Sequence, residues 1–80
     1  MSTKVTIIFS DLVNRESYAR DAKERYPNTG PVFVSSVEEL KEAMLNYHGR
    51  VHTVNYSGTY LDPAEALMYA RNQGKVPAAR

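Results

Sequence analysis

Eighty residues with a formal net charge of +1, 42% hydrophobic and 24% charged, suit one folded globular domain and exclude both a two-domain chain and a disordered one. Ten Lys and Arg against nine Asp and Glu create no global field toward nucleic acid or an anionic membrane, so neither is an expected partner. The chain has no Cys, which removes disulfides, and it has no Cys/His cluster for structural zinc.

A core of this size supplies only about 3–5 kcal/mol of net stability, so further support is expected from oligomerisation or a bound partner. A homodimer is the simplest form of that support. The longest apolar run, Val5 to Phe9 with Thr6 inside it, is too short for a membrane span or a signal-peptide core. A cytoplasmic location is expected.

Lys4 to Ser10 is β-branched and aromatic on both faces, with Val5, Ile7 and Phe9 on one and Thr6 and Ile8 on the other. That pattern predicts a central strand covered on two sides. A helix is expected from Asp11 or Asn14 to Tyr26, with Leu12, Val13, Tyr18, Ala19, Ala22 and Tyr26 near helical spacing. Pro27 ends it, and Asn28 to Pro31 reads as a turn. Val32 to Val34 is a short second strand. Ser36 and Glu39 form a capping box for a second helix with Val37, Leu40, Met44 and Tyr47 as its apolar stripe, stopped by Gly49. Arg50 to Tyr56 is a third strand, polar enough for an edge position. Ser57, Gly58 and Thr59 form a loop, after which Asp62 and Pro63 start a third helix that should stop at Gly74.

The order β-α-β-α-β-α predicts an α/β domain over residues 1–74, followed by a basic, mobile tail over residues 75–80. Placing the most apolar strand in the middle gives a three-stranded, mostly parallel sheet of order 2-1-3, with the first two helices on opposite faces.

In such a sheet ligands gather beyond the carboxyl ends of the strands, which puts Ser10 and Asp11 beside Ser57, Gly58 and Thr59. Hydroxyls and a glycine near helix starts could hold a phosphate or carboxylate. The same residue types are the ordinary turn and cap residues after a strand, and no GxGxxG or Walker-type run supports nucleotide binding. His48 and His52 are separated by Gly49 and a change from helix to strand, so they do not form a metal pair. His52 as a base for Ser10 or Asp11 would make a minimal hydrolase, but nothing in the spacing requires it. No cofactor is implied.

Six Tyr and no Trp exceed what so small a core can absorb, so some Tyr rings should lie at the surface. Tyr and Arg are enriched at binding hot spots. Tyr56, Tyr60 and Arg71 are the expected binding residues, joined in one patch if the last helix folds back beside the third strand. Charge is also segregated, with Glu38, Glu39 and Glu42 on the second helix against Arg71, Lys75 and Arg80 near the end. The resulting expectation is a non-enzymatic protein-binding module, of the size of a stand-alone regulator or a phage-encoded inhibitor of a host protein. The alternative is a domain binding a small ligand, nucleotide or phosphate at the strand ends.

Overall fold

The computed structural model describes residues 4–73. Its elements are β1 (Lys4–Phe9), α1 (Arg15–Arg25), β2 (Thr29–Val34), α2 (Val37–Asn46), β3 (Val51–Tyr56), β4 (Thr59–Leu61) and α3 (Pro63–Gln73). The expected stop at Gly74 and the tail over residues 75–80 lie outside the described residues.

The α/β class and the central place of the first strand hold, but the sheet has four strands in the order β2-β1-β3-β4. β1 pairs in parallel with β2 and β3, while β4 pairs antiparallel with β3, so the sheet is mixed. Val5 to Phe9 are all buried, which is what apolar character on both faces of β1 requires.

Side-chain alternation divides the core into two layers. Ile7, Phe9, Val34, Val54 and Tyr56 pack with Leu40, Ala43 and Met44 of α2 and Ala66 of α3. On the other face Thr6 lies beneath Ala19 and Ala22 of α1. There the Thr6 and Thr29 hydroxyls share a 2.9 Å hydrogen bond, and the Thr29 hydroxyl donates to the Tyr26 carbonyl at 2.9 Å. A polar pair is thereby buried without an unmet donor.

Four sequence expectations change. The third strand is not an edge, because its polar residues fasten β4 instead of facing water. Thr53 Oγ1 donates to the Leu61 carbonyl at 2.8 Å, and Asn55 Oδ1 accepts from the Gly58 amide at 2.7 Å. Ser57, Gly58 and Thr59 are not a simple loop: Ser57 and Gly58, at φ 55° and 96°, form a two-residue turn with both φ positive, as a type I′ hairpin demands. The segment Asn28 to Pro31 is only partly a turn, since β2 already begins at Thr29. Pro31 is tolerated there because β2 is an edge strand. Finally, α1 starts at Arg15, leaving Leu12 and Val13 in the preceding turn at 77% and 86% exposure.

The helix signals otherwise match their positions. Ser36 Oγ accepts from the Glu39 amide at 3.1 Å, Glu39 Oε1 accepts from the Ser35 amide at 2.9 Å, and Asp62 Oδ1 accepts from the Glu65 amide at 3.0 Å. Gly49 takes φ 83° shortly after α2.

Candidate functional site

The carboxyl ends of the parallel strands do meet. The Ser57 amide donates to the Phe9 carbonyl at 3.0 Å, and the Ser10 amide to the Val34 carbonyl at 3.4 Å. Ser10, Asp11, Ser57 and Gly58 are therefore neighbours, and several of their polar groups are already engaged by adjoining residues. Ser10 Oγ donates to the Asp11 carbonyl at 3.1 Å, and Asp11 Oδ1 accepts from both the amide and the side-chain nitrogen of Asn14, at 3.1 and 3.0 Å. The Gly58 amide is taken by Asn55. Gly58 also lies against the Tyr18 ring, since a Cβ built there would stand 3.5 Å from the Tyr18 hydroxyl. Thr59 is the first residue of β4 and pairs with Tyr56. The Ser10, Ser57 and Gly58 amides are thus engaged in turn and strand closure.

The three residues expected to bind do not form one patch. Tyr56 is a core residue at 3% exposure, stacked between Phe9 at 4.8 Å and Tyr69 at 5.2 Å between ring centroids. Burial pushes its hydroxyl pKa up, with Tyr69 adding to the shift. Tyr60 follows the alternation of β4 to the opposite face, where its hydroxyl donates to Asp21 Oδ2 of α1 at 2.7 Å. Burial, then the hydrogen bond and charge of Asp21, push its pKa up to about 12, while Asn55 and Arg25 oppose the shift. The Tyr60 hydrogen bond in turn holds the Asp21 carboxyl below its ordinary value, aided by Arg25. The Arg25 guanidinium pairs with Asp21 at 3.3 Å and sits 5.0 Å from the Tyr60 ring centroid.

Arg71 is exposed on α3 and belongs to a different surface. Together with Lys41, Met44, Leu45 and His48 of the α2 side and Leu67 of α3, it lines a groove of about 320 Å³. Leu45 is 75% exposed and Met68 59%. Among the described residues, three of the six exposed large hydrophobics, Leu45, Leu67 and Met68, thus belong to the two helices that flank this groove. Among the described residues the lining includes no acidic residue.

Leu45 carried a usable sequence signal, because it falls outside the stripe of Val37, Leu40, Met44 and Tyr47 and so cannot share their core. Leu67 and Met68 carried a similar one, being adjacent on a helix that has one buried face. Their meeting with Leu45 depended on α2 and α3 lying side by side, which no local pattern specifies. His48 lines this groove, whereas His52 packs against Tyr26 at 4.6 Å between ring centroids. Among the described residues no group of three potential metal ligands gathers, and no helix is long and apolar enough to cross a membrane. Comparison with protein-family models, curated proteins and solved structures finds no match to this chain.

Proposed function

We propose that this protein is a non-enzymatic cytoplasmic interaction module, a small regulator or inhibitor that docks another protein on the α2–α3 face. The observation that carries this reading is the groove lined by Met44, exposed Leu45 and Leu67 and by Lys41, His48 and Arg71, with exposed Met68 next in sequence to Leu67 on α3. Desolvating large apolar side chains supplies affinity, while the surrounding cations set orientation and partner choice. An amphipathic helix with an acidic rim is the complementary partner, since an apolar stripe on such a helix fits a groove between two helices. Arg71 keeps its expected binding role, while Tyr56 and Tyr60 act from within as packing and strand-fastening residues.

A second copy of the chain is a further partner, and β2 is the element that favours it. This edge strand carries Phe33 at 42% exposure. Unpaired edges accept another strand readily, so pairing of two β2 strands would give a symmetric dimer and leave the α2–α3 face available.

The test is affinity capture from source-cell lysate with wild-type protein, the pair Leu45→Glu and Met68→Glu, the pair Lys41→Glu and Arg71→Glu, and the distant pair Leu12→Glu and Val13→Glu. One protein retained by the wild type and the Leu12/Val13 pair, and lost with the other two, is the expected result. Loss only with the Leu12/Val13 pair moves the interface to the β1–α1 turn and refutes the groove. Sedimentation of the wild type against Phe33→Lys reads the dimer, with a monomer at all concentrations refuting it.

A further inference from the structure

The opposite end of the sheet carries a second, chemically different feature. β1 begins at Lys4, β2 at Thr29 and β3 at Val51, so the first residues of the parallel strands converge where α1 ends. Between them lies a cleft of about 400 Å³, lined by Lys4, Arg25, Tyr26, Asn28, Thr29 and His52 among others. That volume falls within the range of small-molecule sites. Among the described residues no acidic side chain lines the cleft.

The cationic groups are positioned and partly unspent. Arg25 Nε is engaged by both Asp21 oxygens at 3.4 and 3.3 Å, and the Tyr60 ring lies 5.0 Å from the guanidinium carbon. These contacts fix the guanidinium plane and leave its terminal nitrogens without a partner among the described residues. Lys4 is exposed at the strand start. His52 is held against Tyr26, yet its Nδ1 is buried and has no hydrogen-bond partner among the described residues. A buried polar atom left unpaired points to a missing partner.

We infer that this cleft binds a small organic phosphate, with Lys4 and Arg25 taking the phosphate oxygens and the Tyr26 and Pro27 side holding the organic part. A phosphate group offers three terminal oxygens to the Lys4 ammonium and the two terminal nitrogens of Arg25, which a carboxylate with two oxygens cannot serve equally. The cleft is also larger than a bare phosphate needs, and the aromatic wall of Tyr26 and His52 favours a planar substituent. Because it is formed by α1, β1, β2 and β3, this site is separate from the α2–α3 groove and does not rest on the protein-docking reading.

Titration of the full chain with phenyl phosphate, followed by amide chemical shifts, tests the assignment, with phenol and inorganic phosphate as comparison ligands. Phenyl phosphate should shift the amides of Asn28, Thr29 and His52 saturably, whereas phenol should not. Lys4→Gln and Arg25→Gln should each weaken binding about tenfold through loss of a charge-assisted contact, and Arg71→Gln should leave it unchanged. Lys4 is exposed and takes no part in the Asp21–Tyr60 hydrogen bond, so Lys4→Gln remains decisive if Arg25→Gln disturbs the fold. Absence of saturation up to about 10 mM phenyl phosphate, or equal affinity for wild type and Lys4→Gln, overturns the site. Inorganic phosphate binding as tightly as phenyl phosphate overturns the organic half of the ligand.

Discussion

The Tyr60 hydroxyl donates a 2.7 Å hydrogen bond to the Asp21 carboxylate, tying the short terminal strand β4 to a helix that precedes it by 39 positions. Three residues of antiparallel pairing give β4 little hold of its own. The bond closes the α1 layer over the β3–β4 hairpin.

Alkaline stability should report this bond. Tyr60 ionises near 10.0 in an unfolded chain and at about 12 in the folded protein, so the folded state prefers the neutral phenol. Its contribution is fully present below pH 10 and is lost as pH rises toward 12. Tyr56, raised in the same direction by burial, adds to the loss. Urea midpoints of Tyr60→Phe should therefore start lower than wild type at neutral pH and fall less steeply in the alkaline range. Parallel curves would show that the Tyr60 hydroxyl is not the titrating group. At the acid end Asp21, lowered by the same bond, contributes above the ordinary carboxylate value and loses that contribution as pH falls through its folded one. Asp21→Asn should flatten that limb.

The β3–β4 turn offers a change in the stabilising direction. Ser57 holds φ 55° and Gly58 φ 96°, and an L-residue with a side chain pays about 1 kcal/mol for the left-handed region unless its side chain compensates. Asn tolerates that region better and is preferred before Gly in this turn type. Ser57→Asn should raise stability by about 0.5 kcal/mol. Gly58→Ala should lower it by about 1–2 kcal/mol, since alanine would have to hold φ 96°, while its methyl would make only ordinary contact with Tyr18 at 3.5 Å. Thermal melts of both variants read the signs, and a neutral Gly58→Ala would mean that the turn relaxes freely.

This turn also shows where sequence reading stops. Ser-Gly between Tyr56 and Tyr60 is a legitimate hairpin signal, but the three residues after it are too few to display a strand period. β4 was consequently hidden, and with it the reason for the polar residues on β3. Thr53 and Asn55 looked like an exposed edge because their partners, the Leu61 carbonyl and the Gly58 amide, belong to a strand that local pattern could not reveal. By contrast β1, α2 and the start of α3 were legible, because uninterrupted β-branched character and side-chain caps act over a few neighbouring residues. The two clefts were not, since Lys4 meets His52 and Leu45 meets Leu67 only through topology.

Asn55 gives a sharp measure of how far β4 depends on that fastening. It is fully buried, and its Oδ1 is the acceptor for the Gly58 amide. Asn55→Ala removes the acceptor and leaves a gap, which should cost about 2–4 kcal/mol. Thr53→Val keeps the shape and loses only the bond to the Leu61 carbonyl, for about 1 kcal/mol. Amide exchange should accelerate at β4 in both variants before it does in β1. Uniform acceleration across the sheet would mean that β4 is not a separate opening unit.

The α2–α3 face should be dispensable for folding if it serves binding. Leu40 and Leu45 lie on the same helix with opposite surroundings, at 0% and 75% exposure. Leu40→Ala opens a cavity beneath α2 and should cost about 3 kcal/mol. Leu45→Lys and Met68→Lys remove apolar surface already in water, so each should change stability by less than about 0.5 kcal/mol while reducing binding of a hydrophobic dye and self-association at high concentration. The ranking follows from burial alone and needs no knowledge of the partner. Urea denaturation of the three variants gives the stabilities, and dye fluorescence of the folded forms gives the exposed apolar surface. If Leu45→Lys destabilises as much as Leu40→Ala, Leu45 is packed in solution and the face is not free to dock a partner. If stability is kept while the protein captured by wild type is lost, the apolar face is maintained for recognition and not for the fold.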